Sequence, residues 1–287
     1  MEEMVCLNGT LVPKSEARIL PSDQGFLHAY GLFETMRAYG GKVFRLARHL
    51  DRLEQGVQAL DMPAPPKGTL ETAVQETLRA NRLTNARIRL TVTAGEDDMR
   101  SGATCEHPTV LVTALHLEPP AQDTYQNGYR TIISNIRRNS QSPLARVKSL
   151  SHLDNVLARR EALAKGADEA VMLNEKLCVA EGSSSNLFFV AHGGVFTPSL
   201  DCGVLPGITR ETVIEIAAHI PLPVEERWIA MEEVWDAEEA FLTGSVVQVM
   251  PLTSVNGRHI GGGAPGPVTQ RLMAGYAELV RKELGLE

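Results

Sequence analysis

Apolar positions in this chain change period several times, and each change marks an element. Val5-Cys-Leu7 and Leu11-Val12 flank Asn8-Gly9, a dipeptide suited to the positive φ values of a tight hairpin turn. A second strand pair is expected over 31–39 and 43–45, hinged on Gly40-Gly41. Leu46, Leu50, Leu53, Val57 and Leu60 then recur at helical spacing, so 46–60 reads as a helix and 69–81 as another. Across 86–93 the period drops to two. Arg87, Arg89, Thr91 and Thr93 alternate there with Ile88, Leu90 and Val92, which predicts a half-buried strand with 109–117 as its neighbour.

Glu118-Pro-Pro-Ala-Gln-Asp-Thr-Tyr-Gln-Asn-Gly128 interrupts all periodicity, as an interdomain linker does. The expected organisation is a smaller N-terminal domain over 1–119, a linker over 120–128 and a larger domain over 129–287. In the larger domain, strands are predicted at 129–134, 169–174, 186–190 and 239–243, and helices at 153–165, 209–218 and 267–284. Short strands and helices mixed in this way indicate an α+β chain or a strand-rich barrel with peripheral helices. None of these predicted strands leads into G-x-G-x-x-G, so a doubly wound sheet fits poorly.

Composition narrows the partners. The 287 residues, 43% hydrophobic and 22% charged, are those of a globular protein able to bury a large core. A net charge of -7 and the lack of a basic run exclude a nucleic-acid or anionic-membrane footprint. No run reaches about 18 apolar residues, and the N-terminus lacks a basic then apolar leader, so neither membrane spanning nor secretion is expected. Cys6, Cys105, Cys178 and Cys202 are scattered, without C-x-x-C or a histidine at metal spacing. They read as reduced thiols of a cytosolic protein with no metal site.

Lysines number seven against 21 arginines, so a lysine in an apolar stretch stands out. Lys148, in Arg146-Val-Lys-Ser-Leu-Ser-His-Leu-Asp-Asn155, is such a residue. It precedes a predicted helix and is placed to end a strand over a cleft, although a surface lysine at a strand end has the same local pattern. Glu181-Gly-Ser-Ser-Ser-Asn186 follows 33 residues later and fits either a ligand-facing carboxylate or ordinary turn chemistry. Gly203-Val-Leu-Pro-Gly-Ile-Thr-Arg210 runs into a helix, so the Ile208 and Thr209 amides lie at an N-terminus that favours an anion, or Thr209 simply caps it. Thr243-Gly-Ser-Val246 offers a close backbone approach and the Ser245 hydroxyl, and Arg52 a guanidinium. A Schiff-base lysine, a partner for a ring nitrogen, an anion cradle and a seat for a substrate carboxylate are what pyridoxal phosphate asks of a protein. Arg37, Arg89 and Arg100 are the candidates for the last of these.

Together these segments resemble the class IV aminotransferases, the fold-type IV pyridoxal phosphate family. That family includes branched-chain and D-amino acid aminotransferases and 4-amino-4-deoxychorismate lyases. The resemblance runs from Asp23-Gln-Gly-Phe and Gly31-Leu-Phe-Glu-Thr-Met-Arg37 to Gly266-Pro-Val-Thr-Gln-Arg-Leu272. It implies Lys148 as the Schiff-base lysine and proton shuttle, Glu181 as the pyridine-nitrogen partner, and Arg52, Ile208, Thr209 and Ser245 as the phosphate cup. It further implies Asn186 at the cofactor, Phe33 and Val246 on the substrate side, and a cytosolic homodimer whose active sites lie between two domains. Transamination of aliphatic amino acids and 2-oxo acids is the implied activity, with elimination of pyruvate from aminodeoxychorismate as the alternative. Arg87-Ile-Arg89-Leu90 stands where the branched-chain group has Tyr-x-Arg-Pro, and Gly102 stands where the D-amino acid group has a histidine two residues after its Arg100 equivalent.

Overall fold

The computed structural model of the chain describes residues 2–96, 107–220 and 222–286. It is an α+β fold that divides into two compact units. One comprises 1–118, 147–151 and 286; the other comprises 119–146 and 152–285. Residues 147–151, which carry Lys148, therefore belong with the N-terminal residues although they follow the expected linker in sequence.

The first unit is built on β1 (Met4–Leu7), β2 (Thr10–Pro13), α1 (Gln24–His28), β3 (Gly31–Tyr39), β4 (Lys42–Val43), α2 (Leu46–Ala59), α3 (Lys67–Ala80), β5 (Ala86–Thr93) and β6 (Thr109–His116). Its sheet runs in the order β2-β1-β6-β5-β3-β4, and all its pairs are antiparallel. Asn8 (φ 51°) and Gly9 (φ 81°) make the expected hairpin turn. The second expected hairpin is shorter than its sequence suggested: β4 ends at Val43, and Arg45, at φ 51°, is already the N-cap of α2. Leu32, Met36 and Ala38 of β3 and Ile88, Leu90 and Val92 of β5 form one apolar face. Leu50 and Leu53 of α2 and Leu70, Val74 and Leu78 of α3 bury against it. Residues three and four apart supply that helical stripe.

The second unit contains α4 (Gln122–Asn127), β7 (Tyr129–Arg138), α5 (Leu153–Ala164), β8 (Glu169–Asn174), β9 (Val179–Gly182), β10 (Asn186–Ala191), β11 (Gly194–Pro198), α6 (Ile208–Ala218), β12 (Val224–Arg227), α7 (Met231–Val234), β13 (Glu239–Gly244), β14 (Gln248–Val255), β15 (Arg258–His259) and α8 (Pro267–Leu284). Helix α4 lies inside the stretch expected to be linker. The sheet order is β12-β11-β10-β13-β14-β7-β8-β9, with β15 beside β14. β8, β9 and β10 are buried along their whole length, which accounts for the continuous apolar runs of β8 and β10. Phe188 and Phe241 face each other across β10 and β13 with ring centroids 4.9 Å apart, a stack worth about 0.5–1.5 kcal/mol beyond its burial. Helix α8 begins at Pro267, where the missing N–H costs nothing, and the buried Glu239 carboxylate accepts the next two amides, Val268 at 3.0 Å and Thr269 at 2.7 Å. Among the described residues no helix is long and apolar enough to cross a membrane.

Candidate active site

Candidate residues fall into one cluster in each unit. In the first unit, 147–151 lies along the start of β3, on the edge that β4 covers only at Ala38 and Tyr39: Lys148 O accepts from Phe33 N at 3.0 Å, and Leu150 N donates to Gly31 O at 2.8 Å. This pairing fixes the Lys148 backbone while the side chain turns over the Phe33 ring, Nζ 4.7 Å from its centroid. Arg89 lies over the same ring, Cζ at 3.9 Å. Phe33 thus carries two cationic groups, each gaining from the ring quadrupole.

Glu34, the next residue of β3, points the other way and is fully buried. Its carboxylate meets the Arg52 guanidinium as a fork, Nε to Oε1 at 2.8 Å and Nη2 to Oε2 at 2.6 Å, and meets His49 Nδ1 at 2.7 Å. Arg52 and His49 stand three residues apart on α2, so one helix face delivers both. Burial alone would raise the Glu34 pKa, but the Arg52 charge and the His49 hydrogen bond outweigh it and hold the group at about 2. Burial pushes His49 down; Glu34 opposes this, and the charges of Arg52 and Lys148 add to it. Glu34 was not among the residues singled out from sequence. A carboxylate among Leu32, Met36 and Ala38, on the face that alternation assigns to the core, was the available signal.

In the second unit, Glu181 is the penultimate residue of β9 and is buried. Its Oε1 pairs with Arg138 Nε at 3.1 Å and its Oε2 accepts Leu205 N at 2.9 Å. The Leu205 carbonyl accepts Asn186 Nδ2 at 2.9 Å, so one residue ties Glu181 to Asn186. Two residues on, Gly207 is the N-cap of α6, and no side chain caps the helix. Thr209 lies inside the first turn instead of capping it. Ile208 and Thr209 are nonetheless buried, and a buried helix start without a side-chain cap is a place for an anion. A Cβ at Gly207 would collide with Asn186 Oδ1, so glycine is what permits this approach.

Asn186 pairs directly with Thr243 of β13, so both stand on the same sheet face. Thr243 Oγ1 is buried and finds no hydrogen-bond partner among the described residues. Ser245 and Val246 follow in the β13–β14 turn, half-buried. Two further residues were missed by the sequence reading. Arg138 supports Glu181 and also donates to the Ala145 carbonyl at 2.8 Å. Glu169 is buried and accepts from Ser183 N at 3.2 Å, from the Ser183 hydroxyl and from Ser184 Oγ at 2.9 Å, which fixes the loop between Glu181 and Asn186. Neither role has a local sequence signature, because each depends on strands brought together by the fold.

The structure thus groups Phe33, Arg52, Arg89 and Lys148 in the first unit, and Glu181, Asn186, Ile208, Thr209 and Ser245 in the second. Arg37 lies further along β3, buried, with its guanidinium over Tyr39 at 4.6 Å. Arg100 lies outside the described residues. Among the described residues no cluster of three or more His, Cys, Asp or Glu side chains is arranged to hold a metal ion.

Comparison with known proteins agrees with this chemistry. Residues 31–255 match the family described as amino-transferase class IV. A branched-chain-amino-acid aminotransferase of Pseudomonas aeruginosa is 33% identical over 285 residues, covering 96% of this chain and 92% of the relative. An aminodeoxychorismate lyase of Bacillus subtilis is 33% identical over 282 residues, covering 97% and 95%. The crystal structure of the branched-chain amino acid aminotransferase from Thermobaculum terrenum in PLP-form (holo-form) superposes with a TM-score of 0.87 at 28% identity, covering 100% of this chain and 95% of that one. With most of its length matched by the family and by relatives on this scale, the chain belongs to the class IV aminotransferases.

Proposed function

We propose that the protein is a pyridoxal phosphate-dependent aminotransferase that exchanges amino groups between amino acids, branched-chain or D-amino acids among them, and 2-oxo acids. The observation that carries this reading is the donor set of the second unit. A fixed buried carboxylate (Glu181), a buried helix start without a side-chain cap (Ile208, Thr209) and an unpartnered buried hydroxyl (Thr243) suit a protonated ring nitrogen at one end and a phosphate at the other.

When bound, the cofactor supplies an electron sink that acidifies the substrate α-carbon and carries the amino group between substrates. Lys148 Nζ is the nucleophile that holds the cofactor covalently and, once displaced as a neutral amine, the base that takes the α-proton and returns it. Glu181 keeps the ring nitrogen protonated, with its carboxylate held in place by Arg138 and Leu205 N. The Ile208 and Thr209 amides, the Ser245 hydroxyl and the Arg52 guanidinium bind the phosphate, and Glu34 sets the orientation of Arg52 by gripping Nε and Nη2. Asn186 contacts the cofactor from β10, and Phe33, Arg37, Arg89, Arg100 and Val246 act on the substrate side.

The test is the absorption spectrum of the purified protein, recorded before and after adding L- and D-amino acids one at a time. The lysine-linked visible band should give way to the near-ultraviolet band of the aminated cofactor, and the enantiomer that drives the change gives the stereochemistry. The lyase is the second reading, favoured by the identity to the Bacillus subtilis enzyme along nearly the whole of both chains. A visible band that persists with every amino acid, together with 4-aminobenzoate and pyruvate released from aminodeoxychorismate, would establish it. Glu181→Gln keeps an oxygen for Leu205 N but loses the charge. Its turnover should fall about 100-fold, the scale for removing one electrostatic contact to a reacting system, with the visible band retained. Wild-type turnover in this variant would remove Glu181 from the ring nitrogen.

The reading extends to a cytosolic homodimer. Leu153, Val156, Leu157 and Leu163 recur on α5 at helical spacing and stand exposed, an apolar stripe of the kind that marks an interface. Leu157→Glu should shift sedimentation from dimer to monomer at micromolar concentration. A variant that sediments as wild-type dimer would place the interface elsewhere.

A further inference from the structure

Asn155 lies in the first turn of α5, on the helix face that buries Ala158 and Ala162. An asparagine near a helix start commonly bonds the local backbone, but at this helix no side chain makes a capping bond. Burying an amide is costly unless other partners meet it, and here two do so. Asn155 Nδ2 donates to the Ser183 carbonyl at 3.1 Å, and Oδ1 accepts from Arg138 Nη1 at 3.4 Å. Turning the amide over would set donor against donor and acceptor against acceptor, so the surroundings fix which end faces which. Each partner in turn belongs to a buried carboxylate. Glu169 grips Ser183 through its amide and its hydroxyl, and Arg138 pairs with Glu181. Asn155 therefore joins a loop that Glu169 holds fixed to the guanidinium that supports Glu181.

Arg138 depends on that link because its Nε is shared. Nε lies 3.1 Å from Glu181 Oε1 and 3.2 Å from the Gly203 carbonyl, while Nη2 donates to the same carbonyl at 3.2 Å and to the Ala145 carbonyl at 2.8 Å. Two carbonyls thus hold one edge of the planar guanidinium, and a small tilt of the plane turns Nε from Glu181 towards Gly203. At the opposite corner, Asn155 Oδ1 is the acceptor that Nη1 meets among the described residues. The geometry points to Asn155 as a positioning residue that sets the tilt of Arg138 and, through it, the direction in which the Glu181 carboxylate faces. At 3.4 Å the bond is long, so it steers more than it binds, and its loss acts on Glu181 more than on the fold. The inference deepens the proposed function and rests on its assignment of Glu181 to the cofactor ring nitrogen, a contact that has to be held to within about 0.5 Å to be effective.

The experiment is a double-mutant cycle on cofactor affinity. Wild type, Asn155→Leu, Glu181→Gln and the double variant, each loaded with pyridoxal phosphate, are dialysed to equilibrium against graded cofactor concentrations, and bound cofactor is read from the lysine-linked band. Asn155→Leu should weaken binding about tenfold, the scale of one hydrogen bond to a charged group. In the Glu181→Gln background the same exchange should cost less than about twofold, because the carboxylate that Asn155 aims through Arg138 is gone. Asn155→Asp keeps an oxygen for Arg138 and loses the donor to Ser183, so it should bind the cofactor within about threefold of wild type, and it carries the test if the leucine variant does not fold. Wild-type affinity in Asn155→Leu, an equal loss with and without the Glu181 carboxylate, or an aspartate variant about tenfold weaker than wild type would each overturn the positioning role. Cofactor affinity that Glu181→Gln alone leaves unchanged would instead bring down the assignment of Glu181, and this inference with it.

Discussion

Lys148→Ala is expected to abolish turnover while leaving the fold intact. Two proposed roles disappear at once: the nucleophile that anchors the cofactor and the base that moves the α-proton. A positioned base alone contributes about 10²–10⁴-fold, so a loss of about 10³-fold or more is expected. Structural damage should be slight, because 147–151 is held by backbone. Lys148 O still accepts from Phe33 N, and Ser149 still bridges to Leu32. In the cofactor-free protein, what alanine removes is the amino group over Phe33, worth about 0.5–1 kcal/mol, which is about 2 °C in a domain of this size. The proposed phosphate contacts survive, so the cofactor should remain bound without its lysine-linked visible band and leave on dialysis. Single-turnover absorbance and a thermal melt test both halves. A variant that turns over at the wild-type rate would end the assignment of Lys148, and one that melts far below wild type would show that the side chain has a structural role instead.

Much of this candidate site is proposed from the chain alone because its parts are local. Lys148, Glu181 and the Pro-Gly-Ile-Thr-Arg turn each lie in a short segment whose type follows from its own residues. The elements that came out as expected, β5 at Ala86–Thr93 and α8 at Pro267–Leu284, have long unbroken periodicity. β14 did not show itself, because Pro251 sits inside a run that is otherwise strand-like, and proline argues against a central strand. The fold resolves the conflict by register. Pro251 pairs with Phe241 on the β13 side, while the ladder to β7 begins only at Leu252, so no inter-strand bond to β7 is asked of the missing N–H. The supporting residues were harder to read for a different reason. Arg138 reaches Glu181 across 43 positions of sequence, and Glu169 grips serines that follow β9. Such contacts are set by strand order, which composition and period do not encode.

Glu34→Gln should lower stability strongly. The Arg52 fork, His49 and Glu34 form a buried charged cluster, and breaking such a cluster from one side leaves an uncompensated charge at a cost of roughly 3–5 kcal/mol. A melting point lower by roughly 10 °C at pH 7 follows from 2–4 °C per kcal/mol. Acid should narrow the difference. Glu34 in the folded chain titrates at about 2, against about 4.3 for an unperturbed glutamate, so its share of stability is complete above about 4.3 and is lost as pH falls towards 2. His49 acts in the same direction and earlier. Its folded pKa is depressed, so the unfolded chain takes up a proton below about 6.5 that the folded chain refuses, and wild type begins to weaken there. Unfolding free energies of wild type and Glu34→Gln at pH 7, 4 and 2 should therefore converge mainly over the last interval. A gap that stays constant from pH 7 to pH 2 would mean that Glu34 is not the ionised partner of Arg52. With the fork weakened, Arg52 also loses the contact that aims it, so cofactor affinity should fall in the same variant. Retained affinity alongside lost stability would confine the cluster to a structural role.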